Sequence, residues 1–292
     1  MIVVTGASSG IGLAAARQLA AQGAALILVS RDPVRGAAAR NLVAGEATGP
    51  KPVFLAADLS SQKSIRALAA DIHQRVGRID ALLNNAGTAL RQRELTVDGL
   101  ENTFATNHLG PFLLTHLLLD LLLASPQGRI VTTTSESHSS RLEFDNLQGE
   151  RRYTFFSAYA HSKLANILFT YELARRLEHT SVTANCFTPG PTATNFGRGA
   201  GGLMGIMSGL VHLIGHRADA SARTAVFLAT SPEIAGFSGK YFAHGRPSRS
   251  KPITYDTEVA GQLWVISAQL THVDPAADLP ATTNQPVLEG VR

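Results

Sequence analysis

The sequence has few of the features that mark secreted, membrane-spanning or disulfide-bonded proteins. It contains one cysteine, Cys186, so an internal disulfide is excluded and a reducing compartment is expected. The most apolar run, at 112–124, is too short to cross a bilayer and contains His116 and Asp120. The opening MIVVTG is typical of a strand rather than of a signal peptide. We therefore expect a cytoplasmic protein without a membrane span.

Charge is also sparse and balanced. Charged residues make up 16% of the chain, and 26 basic against 22 acidic side chains leave a net charge of +4. The surplus is scattered rather than concentrated into a basic stretch, so we expect no nucleic-acid partner. Hydrophobic residues make up 45% of the 292 positions. A chain of that length and composition buries a large core, which excludes a disordered protein.

Short apolar runs rich in β-branched residues alternate with longer segments of helical periodicity. This alternation predicts an α/β fold with one Rossmann-type, doubly wound parallel sheet of about seven strands and helices on both faces. The predicted strands cover 1–6, 25–30, 52–58, 80–87, 129–135, 181–187 and 239–242. The predicted helices begin near residues 11, 33, 61, 99, 157 and 218.

A glycine-rich loop, TGASSGIG, follows the first strand and opens the first helix. Gly6 allows a sharp turn, Gly10 a close approach of the backbone to a pyrophosphate, and Gly12 close packing of the helix. The helix N-terminus would direct free N–H groups at that pyrophosphate. We therefore expect a bound dinucleotide. The residues predicted to contact it here are Gly6, Ser8, Ser9, Gly10, Ile11 and Gly12.

The second strand ends in VSRD, where an acidic residue would accept a hydrogen bond from a ribose 2′-hydroxyl. Arg31 supplies a guanidinium suited to a 2′-phosphate instead, with Arg35 one helical turn further on. This favours NADP(H), while Asp32 beside it leaves NAD(H) open. After the third strand, Asp58 and Leu59 are predicted to lie near the adenine. The alternative for Asp58 is a role at the N-terminus of the next helix.

Tyr159 and Lys163 lie four positions apart in the predicted helix that begins near residue 157, and therefore share one face of it. A phenol has a pKa of about 10 and is a poor acid–base group at neutral pH. A fixed cation favours the phenolate, so we expect Lys163 to lower the pKa of Tyr159. Such a tyrosine donates a proton to a carbonyl oxygen during reduction and accepts one from an alcohol during oxidation.

Other polar residues follow the ends of predicted strands. Ser135 lies at the carboxyl end of the fifth strand, the edge where ligands bind in this architecture, and could hold a reacting oxygen beside Tyr159. Asn107 lies within a predicted helix, and its amide is expected to hold a water that relays protons to Lys163. We expect no metal ion. Further cofactor contacts are predicted in NNAG and TPGPTAT, at Asn85, Ala86, Gly87, Pro189, Gly190, Thr192 and Thr194.

These motifs stand in the order and spacing of the short-chain dehydrogenase/reductases, which the sequence resembles over residues 1–245. It is similar to the retinol dehydrogenase and WW-domain oxidoreductase branch through TNHLGPFLLTHLLL, TSESH and YAHSKLANILFTYELARRL. The branch has a serine where this chain has Thr134, but TSESH aligns His138 with a histidine of that branch, which keeps Ser135 in place. The resemblance implies NADP(H) as hydride carrier and a catalytic set of Ser135, Tyr159, Lys163 and Asn107.

We therefore expect an NADP(H)-dependent oxidoreductase that interconverts a carbonyl and an alcohol. The Gly- and Met-rich segment 191–217 favours a substrate flap over a largely apolar small molecule. Alternatives are a non-catalytic NADP-binding sensor or scaffold, which would have lost part of the Ser–Tyr–Lys set, and a reductase of carbon–carbon double bonds. Residues 1–270 should form the NADP-binding domain and 271–292 a flexible tail. The apolar helices at 109–124 and 157–179 either pair in a homodimer or homotetramer or pack internally.

Overall fold

The computed structural model describes residues 1–190 and 218–274. Within them, eight strands form one sheet in the order β3-β2-β1-β4-β5-β6-β7-β8. Strands β1 to β7 are parallel to their neighbours, and β8 is antiparallel to β7. The strands are β1 (Ile2–Thr5), β2 (Leu26–Ser30), β3 (Val53–Ala56), β4 (Ala81–Asn84), β5 (Arg129–Thr133), β6 (Thr183–Thr188), β7 (Lys240–Ala243) and β8 (Arg246–Ser248).

Helices cover both faces of this sheet. They are α1 (Gly10–Ala21), α2 (Pro33–Glu46), α3 (Gln62–Arg75), α4 (Asn102–Phe104), α5 (Gly110–Leu117), α6 (Leu119–Leu123), α7 (Phe155–Arg176), α8 (Ala218–Thr230) and α9 (Thr257–Thr271). A π-helical stretch, Ala105–Leu109, joins α4 to α5. Short 3₁₀ turns occur at Phe144–Asn146, Pro232–Ile234 and Pro252–Tyr255.

The hydrophobic core is divided into two layers by the sheet. Successive strand residues point to opposite faces, so Val3 packs with α3, α5, α6, α7 and α9, while Val4 packs with α1, α2 and α8. Strands buried on both faces explain the continuous apolar runs in the sequence. The prediction of a doubly wound α/β sheet is confirmed, with β8 as an additional strand at its edge.

Helix α9 covers the apolar residues of α5 and α7. The Trp264 ring, 1% exposed, packs edge-on to Phe112 at 5.1 Å between ring centroids and stacks on Phe169 at 6.0 Å. The guanidinium of Arg176 lies 4.3 Å from the centre of the same ring. These apolar residues of α5 and α7 therefore pack internally against α9, and the homodimer or homotetramer stays a prediction.

The remaining predictions about organisation fall largely outside the described residues. The predicted flap at 191–217 lies outside them entirely. Of the predicted tail, only 271–274 is described, and the carbonyl of Thr271 accepts a hydrogen bond from Arg66 Nη2 at 2.8 Å. In the described part of the chain, every helix is too short or too polar to cross a membrane.

Candidate active site

An open cleft of about 1590 Å³ runs along the carboxyl ends of the strands. It is larger than the cavities of about 300–1,000 Å³ that hold drug-sized ligands. The strand order reverses between β1 and β4, and crevices at such a switch point are where doubly wound folds bind their ligands. The predicted residues that line it are Gly6, Ser8, Ser9, Gly10, Ile11, Arg31, Asp58, Leu59, Asn85, Ala86, Gly87, Ser135, Tyr159, Lys163, Pro189 and Gly190.

The glycine loop after β1 requires its glycines for two different reasons. Gly6 and Gly10 adopt φ angles of +66° and +55°, which side chains other than glycine rarely tolerate. A Cβ on Gly12 would lie 2.4 Å from the carbonyl oxygen of Gly6, so this glycine lets α1 pack against the loop. Ser9 is the N-cap of α1 but makes no capping hydrogen bond through its side chain. Its hydroxyl is therefore available to a ligand at the helix N-terminus.

Thr5 fixes the loop after β4 against the glycine loop, a role that the sequence did not reveal. Its buried hydroxyl donates to the carbonyl of Leu83 at 3.0 Å and accepts from the backbone N–H groups of Asn85 and Ala86 at 2.9 and 3.1 Å. The Asn85 amide donates to the Thr5 carbonyl at 3.0 Å. Asn85 therefore acts on the cleft mainly by holding the backbone of this loop in place.

At the end of β2, Asp32 caps the following helix, and Arg31 and Arg35 line the cleft beside it. Asp32 is the N-cap of α2, and its Oδ1 accepts from the backbone N–H groups of Val34 and Arg35 at 2.9 and 3.0 Å. The side chains of Arg31 and Arg35 are exposed and line the cleft. The capping of α2 thus occupies Oδ1 of Asp32.

Replacing Asp32 tests this assignment. We expect Asp32→Ala to lower the free energy of unfolding by about 0.5–2 kcal/mol, the usual cost of losing an N-cap, and to leave the NADP(H) to NAD(H) preference unchanged. Urea unfolding followed by circular dichroism measures the first effect. Asp32→Ser, which can still cap the helix, is the control. A change in cofactor preference without loss of stability would contradict the capping role.

Asp58 does not cap the following helix. Its Oδ1 accepts hydrogen bonds from the backbone N–H and the hydroxyl of Ser60 at 2.9 and 2.7 Å. The N-cap of α3 is Ser61, whose hydroxyl accepts from the backbone N–H of Ser64 at 3.4 Å. Of the two predicted roles for Asp58, the helix cap is therefore wrong, and contact of Asp58 and Leu59 with an adenine stays a prediction.

Tyr159, Lys163 and Ser135 meet at the inner end of the cleft. Helix α7 places Tyr159 and Lys163 on one face, with the lysine Nζ 5.6 Å from the centre of the tyrosine ring. Lys163 is buried, and its Nζ donates to the carbonyl of Thr133 at 3.1 Å. Ser135 and Tyr159 line the same cleft, and Ser135 acts on the Tyr159 phenol so as to lower its pKa. Gly87 lies opposite, where a Cβ would come within 3.6 Å of Lys163 Nζ.

Burial has the largest effect on the pKa values of Lys163 and Tyr159. It lowers the pKa of Lys163 to about 8. It also raises the pKa of Tyr159, against the opposing effect of the hydrogen bond from Ser135. The predicted net lowering of the Tyr159 pKa by Lys163 is therefore wrong, because burial destabilises the phenolate by more than the neighbouring groups stabilise it. Tyr159 consequently carries its proton at neutral pH.

The neighbouring Thr134 is not an alternative to Ser135. Its hydroxyl is buried and donates to the carbonyl of Phe187 at 2.9 Å, which ties the end of β5 to β6. Past β6, Pro189 and Gly190 reach the cleft, and the Pro189 carbonyl accepts from the Ser221 hydroxyl at 2.8 Å. The predicted Thr192 and Thr194 lie outside the described residues.

Asn107 occupies the π-helical stretch and is fully buried. Its Nδ2 donates to the Thr88 carbonyl at 2.8 Å and to the Ser162 hydroxyl at 2.9 Å, and its Oδ1 accepts from the Thr88 N–H at 2.7 Å. Both amide hydrogens are used, and these bonds clamp the loop after β4 to α7. The relay water at Asn107 stays a prediction. A local widening of a helix at a functional residue is a known use of π-bulges.

Comparison with known proteins identifies the family. The sequence model of the short chain dehydrogenase family matches residues 1–201, which is more than half of the chain. The chain belongs to the short-chain dehydrogenase family. Human retinol dehydrogenase 13 is 39% identical to it over 293 residues, covering 98% of this chain and 87% of that protein. The predicted resemblance to the retinol dehydrogenase branch is thereby confirmed.

Solved structures of other short-chain dehydrogenases and related proteins share the fold. A protein of Mycobacterium paratuberculosis superposes with a TM-score of 0.75 at 32% identity, covering 96% of this chain and 94% of that one. The active-site complex of Pseudomonas aeruginosa RhlG with NADP gives a TM-score of 0.67 at 24% identity, covering 83% and 93%. At that identity the second likeness shows the fold alone. As a short-chain dehydrogenase, the protein is an oxidoreductase that uses NAD(P)(H) to interconvert carbonyl and alcohol groups of small molecules.

Proposed function

We propose that the protein is an NADP(H)-dependent oxidoreductase that interconverts a carbonyl and an alcohol on a largely apolar small molecule, with Tyr159 as the acid–base group. The observation that supports this most directly is the convergence of Tyr159 and Ser135 in one cleft, with the buried Lys163 ammonium on the same helix face as Tyr159. A phenol, a hydroxyl and a cation converge where a reacting oxygen can bind.

The cleft fits a nicotinamide dinucleotide. Gly6 and Gly87 line the cleft, and a Cβ on either would meet Ala86 or Asn107, so glycine is needed for the loops to pack together beside it. The N-terminus of α1 opens onto the same space through Ser9 and Gly10. When bound, NADP(H) supplies or accepts the hydride, and the protein supplies position and proton.

The proton is held and moved by side chains on α7 and after β5. During reduction, Tyr159 donates its proton to the substrate oxygen while Ser135 holds that oxygen in place, and the Lys163 ammonium stabilises the phenolate that remains. Oxidation reverses these transfers. Because burial raises the pKa of Tyr159, the group is protonated at neutral pH and is better prepared for reduction than for oxidation.

An apolar substrate is supported by the residues that surround this oxygen site. Ala89, Leu90 and Phe155 line the same cleft as Tyr159. The Tyr153 hydroxyl donates to the Leu90 carbonyl at 2.8 Å, which fixes this wall. Apolar side chains in the same cleft as convergent hydroxyl groups suit a small apolar molecule that carries one polar oxygen.

Preference for NADP(H) is tested at Arg31. We expect Arg31→Asp to lower the ratio of kcat/KM for NADPH to that for NADH by about 10- to 100-fold, because a charge-assisted hydrogen bond of about 1.5–3 kcal/mol is lost. Steady-state rates with the two cofactors measure the ratio. Arg40→Asp, an exposed arginine further along α2, is the charge-matched control. An unchanged ratio in Arg31→Asp would remove Arg31 from the cofactor site.

The activity itself is tested by following NADPH and NADH consumption with aldehydes, ketones and quinones that carry apolar chains of increasing length. We expect turnover with aldehydes or ketones, and a kcat/KM that rises with the apolar area of the substrate. Cofactor binding without turnover on any of them would instead favour a sensor or scaffold. Turnover confined to conjugated carbon–carbon double bonds would show that the protein is a reductase of such bonds and not of carbonyl groups.

A further inference from the structure

Ser135 begins a tight turn, defined here as the serine turn, residues 135–139. Its hydroxyl oxygen accepts from the backbone N–H of Ser137 at 3.1 Å, and its carbonyl accepts from the backbone N–H of His138 at 3.2 Å. The backbone N–H of Ser139 donates to the carbonyl of Ala160 at 3.0 Å, one residue beyond Tyr159 on α7. The position of the Ser135 hydroxyl therefore depends on how this turn is held.

His138 holds the turn from the side away from α7. The imidazole is buried, and its Nε2 accepts from the backbone N–H of Lys251 at 3.3 Å. Because Nε2 accepts, the proton must lie on Nδ1, which donates to the Ser135 carbonyl at 2.7 Å. The Lys251 ammonium also donates to the His138 carbonyl. Both ring nitrogens and the backbone of His138 thus link Ser135 to Lys251, which lies 113 positions beyond His138 in the sequence.

Lys251 is itself anchored to α7. It lies directly before the Pro252–Tyr255 turn, and the neighbouring Ser250 hydroxyl is hydrogen-bonded to the Tyr171 hydroxyl at 2.9 Å and to the Thr254 hydroxyl at 2.6 Å. Tyr171 lies on α7, three turns beyond Tyr159. The contacts therefore close a ring that begins and ends on the helix that carries the acid–base tyrosine.

We propose that His138 and Lys251 are positioning residues that hold the Ser135 hydroxyl against the Tyr159 hydroxyl from the C-terminal part of the chain. The proposal rests on the function proposed above for Ser135. Neither side chain lines the cleft together with Ser135 and Tyr159, so both act through Ser135 and not on the substrate.

Protonation of His138 would break this arrangement. An imidazolium cannot accept from the Lys251 N–H, and it would place a second cation beside the Lys251 ammonium. Of the neighbouring groups, the Tyr241 ring on β7 lies 6.0 Å from the His138 imidazole between ring centroids. The exposed Glu136 of the serine turn has its carboxylate 3.8 Å from the imidazole of His244. Burial and the Lys251 charge lower the pKa of His138. Because that pKa lies below the usual histidine value of about 6.5, the arrangement is intact at neutral pH and is lost only on further acidification.

Kinetics on Lys251→Met and His138→Asn test the proposal, with Lys63→Met, an exposed lysine on α3, as control. We expect Lys251→Met to lower kcat for carbonyl reduction by about 10-fold with little change in KM for NADPH, in line with the loss of one charge-assisted hydrogen bond. Hydrogen exchange in the serine turn should become faster. His138→Asn keeps a donor for the Ser135 carbonyl but cannot titrate, so it should retain more activity than His138→Ala and lose the acid limb of the kcat profile.

The acid limb separates positioning from a purely structural role. Tyr159 keeps its proton throughout this range, so in the reduction direction it cannot cause a decline at low pH. Wild-type kcat and slow exchange in Lys251→Met, or an acid limb that persists in His138→Asn, would overturn the positioning role while leaving the proposed function in place. Absence of turnover in the wild-type protein with every carbonyl and alcohol would overturn both.

Discussion

Tyr159→Phe is expected to lower kcat for carbonyl reduction by about 10²- to 10⁴-fold, the range that general acid–base catalysis contributes. The phenyl ring fills the same half-buried space on α7, so the fold and the cleft should persist. What is lost is the proton donor and its interaction with Ser135. Single-turnover kinetics with NADPH measure the chemical step, and fluorescence titration should show nearly unchanged NADPH binding.

Tyr153→Phe is the matched control for this substitution. The Tyr153 hydroxyl also lies near the cleft, but it donates only to the Leu90 carbonyl at 2.8 Å and makes a long contact with Thr103 at 3.4 Å. Loss of a neutral hydrogen bond costs about 0.5–1.5 kcal/mol, so a change of about tenfold or less is expected. If Tyr159→Phe fell within that same narrow range, Tyr159 would not be the proton donor.

The parts of this site that could be predicted from the sequence are those set by local geometry. The i, i+4 spacing placed Tyr159 and Lys163 on one helix face, and the strand end placed Ser135 at the ligand-binding edge. Glycine spacing placed Gly6 at a sharp turn, where its φ angle is +66°. Each of these inferences needs only the period of an element and the direction in which a strand runs.

The parts that could not be predicted depend on contacts between distant segments. The Thr5 hydroxyl meets the loop after β4 across about 80 positions of sequence, and a single threonine carries no pattern that shows this. The packing of Trp264 on α5 and α7 is equally remote. The predicted direction of the Tyr159 pKa shift was wrong for the same reason, because burial depends on the folded chain and cannot be inferred from helical spacing.

The amide of Asn107 shows how such contacts change an assignment. The sequence suggested only a water-binding role for this mid-helix asparagine, whereas in the π-helical stretch its side chain is buried and donates both of its N–H groups, to Thr88 and Ser162. Ser162 in turn donates to the Tyr159 carbonyl at 2.8 Å. The loop after β4 and the acid–base helix are therefore held in one arrangement, which keeps the tyrosine at a fixed distance from the cofactor cleft.

The second large effect is expected from Lys163 and depends on pH. Lys163→Met removes both the cation beside Tyr159 and a charged donor on the cleft wall. Two charge-assisted interactions of about 1.5–3 kcal/mol each correspond to a loss of kcat/KM of about 10²- to 10⁴-fold. In the wild-type protein the same charge is lost by titration, because burial lowers the pKa of Lys163 to about 8. We therefore expect the rate of carbonyl reduction to fall above about pH 8.

Titration of Lys163 changes folding stability and activity in opposite directions, so a loss of activity at high pH can be distinguished from unfolding. The pKa of Lys163 is lowered to about 8 in the folded protein, against about 10.4 in an unfolded chain, so between these values the unfolded state binds more protons. The contribution of Lys163 to folding stability thus rises with pH while activity falls. The buried Cys186 thiol, whose pKa burial raises, acts in the opposite sense, so the comparison of wild type with Lys163→Met isolates the lysine.

Lys163→Arg decides whether the charge itself is responsible. Arginine remains protonated throughout this range, so this variant should lack the alkaline limb even though its longer side chain lowers the overall rate. Rates from pH 6 to about 10 in wild type, Lys163→Arg and Lys163→Met distinguish the cases. An alkaline limb that survived unchanged in Lys163→Arg would have to come from another group. The buried ammonium would then be a support for the Thr133 carbonyl and not the partner of the phenol.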